Sequence, residues 1–372
     1  MKFGLVRRGY SESGGAEAFL RRFADELTAL GHEVALFATR DWPKSGWPYE
    51  LYQLSGATDP ARFADSVRRV RARGKCHVLF SFERLHTCDC YRAGDGVHQV
   101  WLERRALHEP WLSSFLRKFR SKHRHLLKLE RSLFASGGAG LTIANSEMVK
   151  REIVNLYGYP EEKIRVVYNG LPAAALAPAA DGARAQARKE LGVPGDTYIV
   201  LFAGTGFMRK GLRWAIEAID VANVPDSVLV VAGRGNQGAL PDTNRTIFLG
   251  GVNNLPNYYA AADAFILPTL YDPFSNACLE ALGAGLPVIT SRYNGVAEIL
   301  EPGVDGDVIA EPEDVSALAT AIRRWSDPEL RAAMRPRILE KARRFTMEEN
   351  VRQTLAAVAE PLAPPSGDRN GA

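Results

Sequence analysis

Cysteine is scarce: Cys76, Cys88, Cys90 and Cys278 are the only four in 372 residues. They are too few and too scattered for a disulfide framework, and a reducing cytoplasm is the expected compartment. No apolar run approaches the ~20 residues that span a bilayer. Residues 1–6 form an apolar run that stops at Arg7-Arg8. It lacks the length and cleavage site of a signal peptide and reads as a first strand. A surplus of one charge is also missing. The net charge of +4, from 47 basic and 43 acidic residues, argues against a generic polyanion binder but allows a local basic patch. A full Gly-rich dinucleotide fingerprint and a repeat of solenoid period are absent. His86, Cys88 and Cys90 alternate as on a strand, and no partner pair with zinc-ligand spacing occurs elsewhere, so no metal site is expected.

The residues that are there describe a soluble globular chain, 46% hydrophobic and 24% charged, and long enough for two cores. Short β-rich runs alternate with amphipathic helical stretches, which predicts parallel sheets with helices on both faces, an α/β fold. Strands are expected at 2–7, 33–39, 77–82 and 141–144, then at 198–203, 227–232, 246–249, 264–268 and 287–291. Residues 17–30 read as a helix through Phe19, Phe23, Leu27 and Leu30, ended by Gly31. A Gly/Pro/Ala-rich stretch at 169–181 reads as a linker between domains at 1–168 and 182–346. Residues 347–360 read as a closing helix that packs back on the first domain. The Pro/Gly-rich tail, 361–372, is expected to be disordered.

Three segments carry candidate chemistry. Gly14-Gly15, between first strand and first helix, reads either as a loop facing a phosphate or sugar or as an ordinary tight turn. Gly204 to Gly211 follows a strong strand and contains Arg209-Lys210. A planar fork beside a point charge suits a diphosphate, and cations on the first turn of a helix opening at Leu212 call for anionic compensation. In the run from Tyr271 to Ala281, Asp272 lies in a loop and Glu280 on the next helix, capped by Ser275 or Asn276. Two carboxylates and free backbone N–H groups then surround a crevice at strand C-terminal ends, where hydroxyl-rich ligands bind.

Several further runs resemble a known family. Ala144-Asn145-Ser146 through Tyr157-Gly158, Glu162-Lys163-Ile164 and Tyr168-Asn169-Gly170 are similar to the domain junction of family 4 retaining glycosyltransferases. Arg209-Lys210-Gly211, Val231-Ala232-Gly233-Arg234-Gly235 and the acids Asp272 and Glu280, eight residues apart, fall in that family's order. The resemblance runs from Phe3 to about Glu360. It implies the GT-B fold, two Rossmann-like doubly wound domains facing across a cleft. It also implies that Arg209 and Lys210 neutralise a donor diphosphate and that Glu280 holds ribose hydroxyls. Asp272 and the backbone of Phe274, Ser275 and Asn276 would hold the transferred sugar, with Gly14, Gly15, Gly204 and Gly233 lining the donor site. The chain departs from the family pattern twice, with Asp272 where Glu is usual and Ser275 where Gly is usual.

Cys90-Tyr91-Arg92-Ala93-Gly94-Asp95-Gly96 is similar to a stretch of the lipopolysaccharide-core glucosyltransferases that add the first glucose to a heptose. That places Asp95 near the acceptor and the anomeric carbon; the alternative is a turn aspartate between glycines. Between Trp101 and Arg131 nine Lys/Arg face three acids, with Leu112, Phe115, Leu116 and Phe119 as an apolar stripe. Such a helix either packs on the core with a solvated basic face or lies on an anionic membrane. The resemblance favours docking through Trp101, Trp111, Phe115, Arg117, Lys118, Phe119 and Arg120.

The expectation is therefore a cytoplasmic enzyme, peripheral on the cytoplasmic face of the inner membrane. It would move a sugar, expected to be glucose, from a UDP-sugar to a glycolipid or oligosaccharide hydroxyl with retention. Two cations at the leaving group would take the place of a metal, and no cofactor or nucleic acid is expected. The donor would bind the second domain and the acceptor the first, with closure bringing them together. Rival readings are a transferase using mannose, GlcNAc or galactose, another GT-B enzyme such as an epimerase or phosphorylase, and a non-catalytic membrane or nucleic-acid adaptor.

Overall fold

A computed structural model of the chain describes residues 1–10, 15–45, 47–56, 58–109, 121–177, 182–238 and 240–359. The chain divides into two compact units, Leu171–Thr346 and the remainder: Met1–Gly170 with the chain from Met347 onward.

Unit 1 begins with β1 (Lys2–Arg7), α1 (Gly15–Ala29), β2 (Glu33–Thr39), β3 (Glu50–Leu54), α2 (Pro60–Arg71), β4 (Val78–Ser81) and β5 (Cys88–Arg92). There follow α3 (His98–Leu107), α4 (Ser121–Leu133), β6 (Ala139–Ala144), α5 (Glu147–Tyr157) and β7 (Ile164–Val166). The strands form a parallel sheet in the order β3-β2-β1-β4-β5-β6-β7. Its central strands read as continuous apolar runs because both faces are covered. α1 buries Phe19, Leu20, Phe23, Ala24 and Leu27 against Phe3, Leu5, Phe80 and Phe82. α5 is bounded by Ser146, whose hydroxyl accepts from the Val149 N–H, and by left-handed Gly158.

Unit 2 contains α6 (Ala173–Leu176), α7 (Ala183–Leu191), β8 (Tyr198–Ala203), α8 (Phe207–Lys210), α9 (Leu212–Ala222), β9 (Ser227–Ala232) and β10 (Thr246–Gly250). It continues through α10 (Leu255–Ala261), β11 (Ala264–Leu267), α11 (Asn276–Gly283), β12 (Val288–Ser291), β13 (Gly306–Ile309), α12 (Val315–Trp325) and α13 (Pro328–Ala342). Its parallel sheet runs β10-β9-β8-β11-β12-β13. Every residue of β8, β9, β11 and β12 is buried. The chain then returns to unit 1 as α14 (Met347–Ala359), whose Met347, Val351, Ala357 and Val358 join the core built around Phe19 and Phe23.

The stretch read as a linker is ordered where it is described. Leu171 bridges to Thr346, and Ala173–Leu176 forms a helical turn, so the unit boundary falls at residues 170 and 171. β3 escaped the sequence reading because its half-buried residues Glu50–Leu54 lack a clean apolar run. Residues 178–181 and the tail at 361–372 lie outside the described residues. Among the described residues no helix is long and apolar enough to cross a membrane.

Candidate active site

In unit 2 the strand order reverses between β8 and β11, and at such a point the chain segments leaving the two strands diverge and open a crevice. The segment leaving β8 is Gly204 to Gly211; the segment leaving β11 is Pro268 to Ser275. They are tied backbone to backbone. The Arg209 carbonyl accepts from the Leu270 N–H and the Thr269 hydroxyl, each at 2.8 Å. Gly211 has φ +76°, and a Cβ there would lie 1.9 Å from the Pro268 carbonyl oxygen. Gly233, after β9, has φ +141°, and its Cβ would lie 2.0 Å from the Gly204 carbonyl oxygen. Only glycine permits approaches this close.

The Lys210 stem lies along Gly204, and its ammonium makes an ion pair with the Asp272 carboxylate. Both residues are more than nine-tenths buried. Arg209 is half-exposed, and its guanidinium has no hydrogen-bond or ion-pair partner among the described residues. The two cations do not sit on the first turn of the helix opening at Leu212, as the sequence suggested. Gly211 breaks the chain there, and they end the separate turn α8. Lys210 finds its anionic compensation in Asp272 itself.

Ser275 caps α11, its hydroxyl accepting from the Cys278 N–H at 3.4 Å, so this departure from glycine supplies a helix cap. Glu280, one turn further on, accepts from the Tyr259 hydroxyl at 3.1 Å. Burial and the adjacent Glu280 carboxylate raise the Tyr259 phenol well above its usual range, so it stays a donor. Burial pushes the Cys278 thiol up to about 12, leaving it protonated and inert.

Sequence reading missed Asn294, the residue that organises this loop. It is fully buried; its Oδ1 accepts from the Ser275 and Val296 N–H groups, each at 3.2 Å. Its Nδ2 donates to Thr290 Oγ1 at 3.0 Å and reaches Cys278 Sγ at 3.3 Å. The backbone beside it pairs Asp272 N with the Tyr293 carbonyl and Gly295 N with the Asp272 carbonyl, each at 2.9 Å. The dipeptide Asn294-Gly295 was the available signal, since such pairs mark turns. Replacing Asn294 with Ala orphans two buried N–H groups. A loss on the order of 2–4 kcal/mol in urea unfolding is expected.

In unit 1 the strand order reverses between β1 and β4. Arg7, ending β1, lies 3.1 Å from Glu83, 3.5 Å from Glu17 and 3.8 Å from Asp95. Burial pushes the Glu83 carboxyl up, against the pull of Arg7 and Arg8. Asp95 is half-exposed at the edge of this cluster. Arg7, Arg8, Glu17 and Glu83 were not anticipated, although Arg7-Arg8 directly after a strand was visible. Gly15 opens α1; Gly14 lies outside the described residues.

Of the residues read as membrane contacts, Trp101 is half-buried on α3 with Arg105 over its ring at 5.9 Å. Trp111, Phe115, Arg117, Lys118, Phe119 and Arg120 lie outside the described residues. The helices on either side share one buried acid. Glu130 of α4 takes Arg84 Nε at 2.9 Å, the His98 and Gln99 N–H groups of α3 at 2.8 and 3.2 Å, and the Tyr157 hydroxyl at 2.8 Å. Cys88 and Cys90 are buried in β5, and burial raises both thiols, while His86 faces Asp65.

Residues 13–174 match the model described as Glycosyltransferase Family 4, and residues 197–327 match Glycosyl transferases group 1. The chain belongs to the family 4 glycosyltransferases. This transferase is 26% identical to the lipopolysaccharide glucosyltransferase WaaG of Escherichia coli K12, over 92% of the chain and 91% of WaaG. It is 30% identical to the uncharacterized glycosyltransferase MJ1607 of Methanocaldococcus jannaschii, a match spanning 49% of the chain and half of that protein. The crystal structure of WaaG, a glycosyltransferase involved in lipopolysaccharide biosynthesis, superposes with a TM-score of 0.80 at 22% identity, covering 96% of the chain and all of WaaG. Anabaena Alr3699/HepE in complex with UDP and glucose gives 0.72 at 20%, covering 97% and 100%. The two parallel sheets of the transferase are those of the GT-B fold.

Proposed function

We propose that this glycosyltransferase moves glucose from UDP-glucose to a hydroxyl of a lipopolysaccharide-core or similar glycolipid acceptor, retaining the anomeric configuration. The observation that carries the reading is the Lys210–Asp272 pair at the reversal of the unit 2 sheet, with Arg209 beside it. A donor diphosphate takes Asp272's place as partner of Lys210. The released carboxylate, with the Phe274, Ser275 and Asn276 backbone, is then available to the sugar hydroxyls. Glu280 takes the ribose hydroxyls. As the bond to the anomeric carbon breaks, negative charge grows on the diphosphate, and Lys210 and Arg209 stabilise it from fixed positions. Two cations there leave no obligatory role for a divalent metal. The acceptor is held by unit 1, with Asp95 near the reacting hydroxyl. The choice of UDP-glucose draws on the likeness to WaaG and to HepE, a structure holding UDP and glucose.

The basic stretch from Trp101 to Arg131 brings the enzyme to an anionic membrane, where a glycolipid acceptor resides. The experiment is to supply UDP-glucose with a truncated lipopolysaccharide core in anionic vesicles, at chelator concentrations that remove divalent ions. UDP release that depends on acceptor, and a product with the donor's anomeric configuration, are expected. Inversion of configuration, or UDP release indifferent to acceptor, would sink the reading.

A further inference from the structure

Three arginines are buried among the described residues. Arg84 pairs with Glu130, and Arg188 with Asp263 at 2.7 Å. Arg92 pairs with no acid among the described residues. It ends β5, an interior strand of the unit 1 sheet, and is 4% exposed. Its Nη2 donates to the neutral Asn169 Oδ1 at 2.7 Å, and its guanidinium lies 4.0 Å over the Phe19 ring. Among the described residues its Nε has no partner, and no carboxylate lies within ion-pair distance. Removing a charge from water without a counter-charge is costly, and burial accordingly lowers this guanidinium to about 10.

The neighbourhood holds a second unmet group. Arg92 Nη1 lies 3.0 Å from where a Gly94 Cβ would be, and the buried Asn145 donates to the Gly94 carbonyl at 3.5 Å. Among the described residues Asn145 Oδ1 has no partner. The Arg92 guanidinium and an amide with an unmet acceptor thus meet at Gly94, one residue before Asp95. A ligand carrying both an anionic oxygen and a hydroxyl would satisfy both.

We propose that Arg92 is the receptor for a phosphate group carried by the sugar acceptor, with a neighbouring acceptor hydroxyl donating to Asn145. This rests on the reading that unit 1 holds the acceptor. The guanidinium fork matches phosphate oxygens, and the aromatic face of Phe19 holds it in place before the ligand arrives. Specificity follows from the same charge: a neutral sugar leaves Arg92 uncompensated and binds more weakly.

The test uses the full chain with saturating UDP, so that nucleotide occupies the donor site, and follows the melting temperature as ligand is titrated. Glucose 6-phosphate, inorganic phosphate and glucose are compared on the wild type, Arg92→Met and Arg92→Lys. Glucose 6-phosphate is expected to raise the wild-type Tm by roughly 5 °C at concentrations far above its Kd, inorganic phosphate less, and glucose not at all. Arg92→Met should lose the phosphate-dependent shift, and Arg92→Lys should keep a reduced one. If Arg92→Met fails to fold, the Arg92→Lys response decides: an undiminished shift overturns the proposal. Equal shifts with inorganic phosphate and glucose 6-phosphate overturn the acceptor assignment, and no wild-type shift with either overturns the site. Because the readout is stability, it stands apart from sugar transfer, whose failure would instead sink the proposed function.

Discussion

Lys210→Ala is expected to lower kcat at saturating donor by about 10²- to 10³-fold, the loss that follows removal of one fixed group from a developing charge. The same substitution should destabilise the chain by about 3–5 kcal/mol, because it leaves the Asp272 carboxylate buried without its partner. The two effects separate in a double variant. Lys210→Met with Asp272→Asn removes both charges and should recover most of the stability while turnover stays low. Steady-state kinetics with urea unfolding on all three chains checks this. Near-normal turnover in Lys210→Ala would remove Lys210 from the leaving-group role, whatever its effect on folding.

Glu130→Ala should produce the largest purely structural loss, also about 3–5 kcal/mol. One carboxylate there neutralises the buried Arg84, supplies the α3 N-terminus with an acceptor that Val97 cannot offer, and holds Tyr157. Glu130→Gln keeps an acceptor but no charge, and should fall between Ala and the wild type. Urea unfolding monitored by circular dichroism decides; a change under ~1 kcal/mol for Ala would mean that water replaces the acid without cost.

The fold was largely legible because both sheets are parallel and covered on both faces. β1, β2, β8 and β9 announce themselves as apolar runs, and their bounds follow directly from composition. β3, β7 and β13 did not: β3 is half-buried at an edge, β7 is three residues long, and β13 carries Asp307, whose carboxylate accepts from the Trp325 indole N–H at 2.8 Å. Burial of that acid depends on a residue 18 positions away, which no local pattern reveals.

The site divides in the same way. Arg209, Lys210, Asp272 and Ser275 were visible as residue types at informative spacing. The Lys210–Asp272 contact spans 62 residues and depends on two strands being neighbours in the sheet. Asn294 and Arg92 were passed over because their importance lies in what surrounds them. One has every hydrogen-bonding position filled, and the other has a charge with no carboxylate in ion-pair reach among the described residues, and both conditions exist only after folding.

α14 closes the core of unit 1 with residues that follow the whole of unit 2, and Asn350 donates to the Tyr168 carbonyl from the same helix. On the ribosome, therefore, the first unit to emerge cannot be the first to finish. Unit 2 is contiguous and can fold as soon as its last strand and helices clear the exit tunnel. Unit 1 must wait, with the α14-facing side of α1 uncovered, until translation passes residue 358.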